Sequence, residues 1–233
     1  MTNTIATRTI AIRPNLYRDI HKGLRHGHGL MLTRLGNSDW RDNHQTQALL
    51  EALDAHLHLC ERHLKHEDDF IHPALAAFDT GLLHKLASDH ENHEVALGTL
   101  SARIDSLSAT TENLRPLLGH QLYLAFAQFV ATDFEHMERE EALAMPVLWE
   151  NMDDAEIGII HGRIVGAIPP EEMMAYMRLM LPAITPADRL GMLVGIRAGA
   201  PAEAYQAILQ LAARPSLSAD DFAWLTAELE KAA

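Results

Sequence analysis

A thirteen-residue motif occurs twice in this chain, as His63-Leu-Lys-His-Glu67-Asp-Asp-Phe-Ile-His-Pro73-Ala-Leu75 and as His136-Met-Glu-Arg-Glu140-Glu-Ala-Leu-Ala-Met-Pro146-Val-Leu148. In both copies a His is followed by a Glu four residues on, a Pro six residues later and a Leu two beyond that. On a helix, positions i and i+4 share a face with Cβ atoms about 6 Å apart, so each copy aims an imidazole and a carboxylate at one place. A single such pair is usually a surface pair. Two copies with matched spacing point instead to a duplicated unit that presents metal ligands.

Each copy has an upstream partner. His21 precedes His63 by 42 residues and His90 precedes His136 by 46. Each half thus reads as one helix bearing a His, a connection, and a second helix bearing His-x-x-x-Glu. Long helices are expected over about residues 14–36, 42–77, 80–107 and 113–149. Breaks fall at Asn37-Ser-Asp39, Asp79-Thr-Gly81 and Ser108 to Glu112. β-branched runs are rare, so the expected class is all-α, and short connections favour an up-down-up-down four-helix bundle followed by several shorter helices. Heptad rows place histidines where a bundle wants Leu: His21, His28 and Leu35; His56, His63 and Phe70; His90, Leu97 and Ile104; Leu122, Phe129, His136 and Leu143. Unpaired buried imidazoles cost about 1–3 kcal/mol each, so inward histidines imply a common partner, and a metal is one. Gly23, Gly27 and Gly29 weaken the first helix and call for close packing or backbone approach to something bound.

The order and type of these elements resemble the hemerythrin-like, or HHE, cation-binding family over about residues 14–149. The likeness rests on the His of the first helix, His63-x-x-x-Glu67, the His of the third helix, His136-x-x-x-Glu140 and the Pro-x-Leu endings. It implies a non-haem di-iron centre with metal ligands His21, His63, Glu67, His90, His136 and Glu140. His21 and His63 would bind one iron, His90 and His136 the other, and the two glutamates would bridge. Imidazole suits iron, and a carboxylate with two oxygens can span and neutralise two cations. Zinc or a single metal is the weaker alternative. Oxygen-carrying members place His-x-x-x-His on the third helix, where this chain has His90-Glu-Asn-His93-Glu94. Glu94 as an extra ligand, His93 turned inward, or a position open to water all remain. On the fourth helix the carriers use His-x-x-x-x-Asp, so the chain is closer to the broader bacterial branch.

The remaining histidines lack repeat support. His66 and His72, opposite Arg139 and Met145 in the other copy, are expected at the surface with His26, His44, His58, His84 and His120. His28 and His56 sit one heptad, about 10 Å, from His21 and His63, which suits core or supporting roles. Asp68 and Glu141, each following a repeat Glu, are candidate supports for ligands. Cys60 is the only cysteine, so no disulfide and no Cys-based zinc or iron–sulfur site is expected within the chain, and a small buried apolar role is expected.

Of fifteen histidines, all but His161 lie between 21 and 136, which sets an expected boundary near residue 150: a metal-site bundle over 14–150 and a helical extension of unassigned role over 151–233. In the extension Thr185-Pro186, Pro201 and Ser218 mark helix starts, giving four or five short helices, and Met173, Met174, Met177 and Met180 recur at core spacing. These helices are candidates for covering the bundle or for a protein or homo-oligomeric partner. A net charge of −13 without a basic stripe excludes nucleic acid as an expected partner. Met1 to Arg13 lacks a signal-like apolar core, no segment has the length of a membrane span, and a cytoplasmic protein is expected. The expected function is binding or sensing of O₂, NO or a related small oxidant such as peroxide, without turnover. The alternatives are a di-iron oxidoreductase acting on peroxide or another small oxidant, and an iron-buffering or structural metal protein.

Overall fold

The computed structural model describes residues 13–232, and these are all-helical, with no strand among them. The Met1 to Arg13 reading therefore lies, except for Arg13, outside the described residues. Four long helices come first: α1 (Arg18–Asn37), α2 (Asn43–His66), α3 (Thr80–Ser108) and α4 (Arg115–Arg139). α2 continues through a π-turn at Glu67–Ile71 into His72–Leu75, and α4 through a π-turn at Glu140–Ala144 into Met145–Asn151. Five shorter helices follow: α5 (Asp154–Ala167), α6 (Pro170–Ala183), α7 (Pro186–Gly199), α8 (Ala202–Ala207, extended by a π-turn at Ile208–Ala213) and α9 (Ala219–Lys231). None of the described helices is long and apolar enough to cross a membrane.

Local chemistry sets the ends. Asp42 accepts from the Gln45 amide at the start of α2, and Asp79 from the Leu82 amide at the start of α3. α4 begins without a side-chain cap at Leu114, so the Ser108 to Glu112 stretch makes the turn but does not cap the next helix. Thr185 and Ser218 cap α7 and α9 as their sequences indicate, and Asp153 with Glu156 forms a full capping box on α5. Arg13 donates to the carbonyls of Trp149 and Met152 and pairs with Asp154, tying the start of the described chain to the end of the α4 continuation.

The long helices form a closed ring of neighbours: α1 touches α2 and α4, and α3 touches α2 and α4. One apolar core fills the ring, with Leu24, Leu35, Leu53, Leu100, Leu122 and Phe126 almost fully buried. A second, at one end, joins Tyr17, Ile71, Leu75, Leu86, Met145 and Leu148 to Ile157 and Ile160 of α5. A third belongs to the short helices, where Met177 and Met180 are buried and Met173 and Met174 pack against them, as their spacing indicates. Full burial of one such side chain contributes about 1.5–3 kcal/mol.

α6 lies along α1, and close approaches explain two of the three α1 glycines, Gly23 against α6 and Gly27 chiefly against α2. A Cβ on Gly23 would stand 2.9 Å from Met180 Cγ, and one on Gly27 would stand 2.5 Å from His56 Cε1. Gly29 has open space and no such reason.

The π-turns correct two heptad assignments. Proline lacks an N–H and its ring collides with the carbonyl four residues back, and a π-turn relieves both by adding a residue to the turn. The residues before Pro73, Pro146 and Pro215 each donate instead to the carbonyl five back: His72 to Glu67, Met145 to Glu140, Arg214 to Leu209. The extra residue moves the buried row by one. Ile71 is buried where Phe70 was expected, and Ala144 replaces Leu143, which is 48% exposed.

Candidate metal centre

The six expected ligands come together inside the ring of long helices. α1 supplies His21, the last turn of α2 supplies His63, mid-α3 supplies His90 and the last turn of α4 supplies His136. Glu67 and Glu140 are the first residues of the two π-turns, and all six side chains are buried. His63 Nε2 lies 3.1 Å and His21 Nε2 3.6 Å from Glu67 Oε1, while His90 Nε2 is 3.5 Å from Glu67 Oε2. Glu140 Oε2 is 3.4 Å from both His21 Nε2 and His136 Nε2. Two groups of potential ligand atoms result, His21 with His63 and Glu67, and Glu67 with His90, His136 and Glu140. Glu67 belongs to both.

The chemistry of these atoms fits cations. Both oxygens of Glu67, both of Glu140, and Nε2 of His21 and His63 are buried without a hydrogen-bond partner. Such atoms cost about 1–3 kcal/mol each when left unpaired, and more when charged. The outer nitrogens of two ligands are fixed. His90 Nδ1 donates to Asp68 Oδ1 at 2.8 Å and His21 Nδ1 to Glu141 Oε1 at 2.9 Å. Donation through Nδ1 turns Nε2 inward, the arrangement in which a carboxylate orients a metal-binding imidazole, and the Nε2 proton that these raised imidazoles keep without a cation would leave on metal binding. His90 Nε2 then faces His136 Nε2 at 3.0 Å, where a shared proton or a cation must intervene. The second acid of each repeat thus serves the His of a neighbouring helix: Asp68 on α2 holds His90 on α3, and Glu141 on α4 holds His21 on α1. Buried clusters of His, Glu and Asp here can hold metal ions.

Electrostatics show what the site demands without a cation. Burial, then the charge of Glu67, pushes Glu140 up to about 8. Burial also acts against ionised Glu67, but His63, His21 and His90 outweigh it and hold Glu67 well below the usual carboxylate range. The pair therefore carries one proton between two carboxyls. Burial lowers His63 to about 4 and His136 to about 3, whereas for His90 burial is outweighed by Asp68 and Glu67, which raise it to about 10.

Of the alternatives on the third helix, Glu94 is exposed and turned away, while His93 is buried, its ring 5.0 Å from that of His136 and its Nδ1 3.6 Å from Asp133. Two surface assignments are corrected. His72 is buried, bonded to Asp68 Oδ1 at 2.8 Å and stacked on His90 at 4.7 Å, because Asp68 sits between the two imidazoles. His66 is buried beside Arg62 and Phe70, with Arg62 tied to Glu172 of α6. His44, His58, His84 and His120 are exposed as expected, and His26 is half-buried. Sequence reasoning passed over Tyr17, whose fully buried hydroxyl is unpartnered beside His21. It also missed Asp89, which binds Arg139 and approaches His136, and Asp133, which lies one turn before His136 on the same face and so carried a positional signal.

Compared with protein-family models, with curated proteins and with solved structures, the chain matches none.

Proposed function

We propose that this chain is a hemerythrin-like, non-haem di-iron protein with an up-down-up-down bundle, and that it binds or senses O₂, NO or a related small oxidant. The observation that carries the reading is the set of unpartnered buried atoms: four carboxylate oxygens and two imidazole nitrogens converge on one volume. In this reading His21 and His63 hold one iron, His90 and His136 the other, and Glu67 and Glu140 span both. The distances of His21 and His63 to Glu67 Oε1 and of His90 to Glu67 Oε2 support that division. When bound, the irons supply one-electron redox chemistry and open coordination positions for a small ligand.

The chain's own residues do the rest. Asp68 and Glu141 keep His90 and His21 in the tautomer that presents Nε2. Tyr17, Ile71, Leu75, Met145 and Leu148 close one end of the site with apolar surface and limit the entry of water. His93, beside His136, adds an imidazole where the carriers of the family use a further ligand.

The test is to add NO or O₂ to iron-loaded protein and follow its absorption spectrum. A stoichiometric spectral change without continued consumption of the gas is the expected result, and failure to respond to either gas overturns the proposal. Peroxide turnover that is lost in His63→Ala and Glu140→Ala would assign the oxidoreductase alternative instead.

A further inference from the structure

A second buried polar cluster lies about 10 Å along the bundle from the first, one heptad away on α1 and α2. His56 Nε2 is 3.0 Å from His28 Nδ1 and 3.9 Å from Cys60 Sγ. On its far side, His28 Nε2 is 2.8 Å from Asp133 Oδ2. All four side chains are buried in an otherwise apolar core. We propose that His28, His56 and Cys60 form a separate metal site for a thiophilic divalent cation of the zinc class, with Asp133 orienting His28.

The geometry carries this inference. Tetrahedral zinc with bonds of about 2.0–2.1 Å to nitrogen and 2.3 Å to sulfur sets its ligand atoms roughly 3.3 Å apart for two nitrogens and 3.6 Å for nitrogen and sulfur. The observed 3.0 and 3.9 Å need shifts of only a few tenths of an ångström, and the third pair, His28 to Cys60, lies within 4.8 Å and closes further on binding. The His28 ring donates Nε2–H to Asp133, which leaves Nδ1 as a lone pair, so the carboxylate–histidine arrangement of a metal site is already built. His56 binds as the Nδ1–H tautomer, and Cys60 binds as thiolate, so one proton is released to solvent per cation bound. Three protein ligands leave the fourth position for water or a small ligand.

Access is available from a groove of about 480 Å³ between α1, α2 and α6, lined by Gly27, Ala52, His56, His58 and Glu172. Gly27 is required there, because any Cβ would strike the His56 ring. This site does not depend on the di-iron reading.

Cys60 is the only cysteine, so any thiolate-to-metal charge-transfer absorption must arise from it. The experiment is a titration of metal-free full-length protein with Co²⁺ under nitrogen, with folding monitored by circular dichroism. The expected result is a near-ultraviolet charge-transfer band whose final amplitude corresponds to one thiolate-bound Co²⁺ per chain, is erased by Zn²⁺, and is absent from Cys60→Ser. His56→Gln is expected to weaken Co²⁺ binding at this band by at least tenfold. Folded native protein that takes up Co²⁺ without any charge-transfer band overturns the proposal, as does a band that His56→Gln leaves unchanged.

Discussion

Replacing Glu140 with Gln is expected to move the stability of the metal-free and metal-loaded protein in opposite directions. In the metal-free fold Glu140 is fully buried and pushed up to about 8 by burial and by Glu67, from an ordinary 4.5. At pH 7.5 the unfolded chain is ionised at this position while the folded one largely keeps its proton, a difference that costs about 4 kcal/mol. Gln carries no such cost, and its amide carbonyl can accept from Nε2 of His21 while its NH₂ faces Nε2 of His136, each 3.4 Å from the present Oε2. Imperfect satisfaction of the amide returns roughly 1–2 kcal/mol. The net gain of about 2 kcal/mol raises Tm by roughly 4–8 °C for a chain of this size. With metal present, the same substitution removes a charged ligand, and each tenfold loss of affinity takes back about 1.4 kcal/mol. The assay is urea unfolding followed by circular dichroism, once with chelator and once with ferrous iron under nitrogen. A Glu140→Gln variant less stable than the native protein in chelator would refute the reasoning, because Glu140 would then be a satisfied group rather than a ligand without its cation.

Above pH 6.5 the metal-free protein is expected to lose stability as pH rises. Glu140, His90 and His21 are all raised in the fold, the first two to about 8 and 10, so each contribution is complete below the unfolded pKa and lost through the folded one, at up to about 1.4 kcal/mol per pH unit per group. The lowered His63 and His136 act in the opposite sense, but only below 6.5, so chelator-treated protein melted from pH 6.5 to 8.5 isolates the effect. Gly27→Ala is expected to destabilise by about 1–3 kcal/mol through collision with His56, whereas Gly29→Ala, with open space at its Cβ, is expected to stabilise by up to about 1 kcal/mol; paired thermal melts check both. Asp68→Asn is expected to lower metal affinity by roughly 10–100-fold by loosening His90, as measured by competition with a chelating dye.

The convergence of these six residues was legible because the pattern that carries four of them recurs. His-x-x-x-Glu places two donors on one face wherever the helix is regular, and in both copies the step from His to Glu is completed at the first residue of the π-turn. Beyond Glu67 and Glu140 the same heptad count fails by one residue, burying Ile71 and Ala144 in place of Phe70 and Leu143. The cause was in the sequence, since Pro73 and Pro146 forbid the regular turn. The third π-turn, before Pro215, has no His or Glu of the repeat, so the proline rather than a ligand requirement accounts for the irregularity. His72 and His66 were misjudged for a different reason. Each has a local i,i+4 partner, Asp68 for His72 and Arg62 for His66, but the burial comes from what holds those partners on other elements, His90 of α3 and Glu172 of α6, which no local pattern encodes. The close approaches to α1, of α6 at Gly23 and of His56 at Gly27, were foreshadowed only by these glycines, whose missing side chains signalled an approach without naming what approached.

The central claim is that Glu67 and Glu140, with His21, His63, His90 and His136, hold two irons. Elemental analysis of tag-free protein purified from iron-supplemented cells, with an absorption spectrum in air, tests it most directly. The expected result is about two irons per chain with near-ultraviolet ferric absorption, both lost in a Glu67→Ala, Glu140→Ala double variant that remains helical. Protein that carries no iron under these conditions, or that keeps its iron in the folded double variant, would contradict the claim.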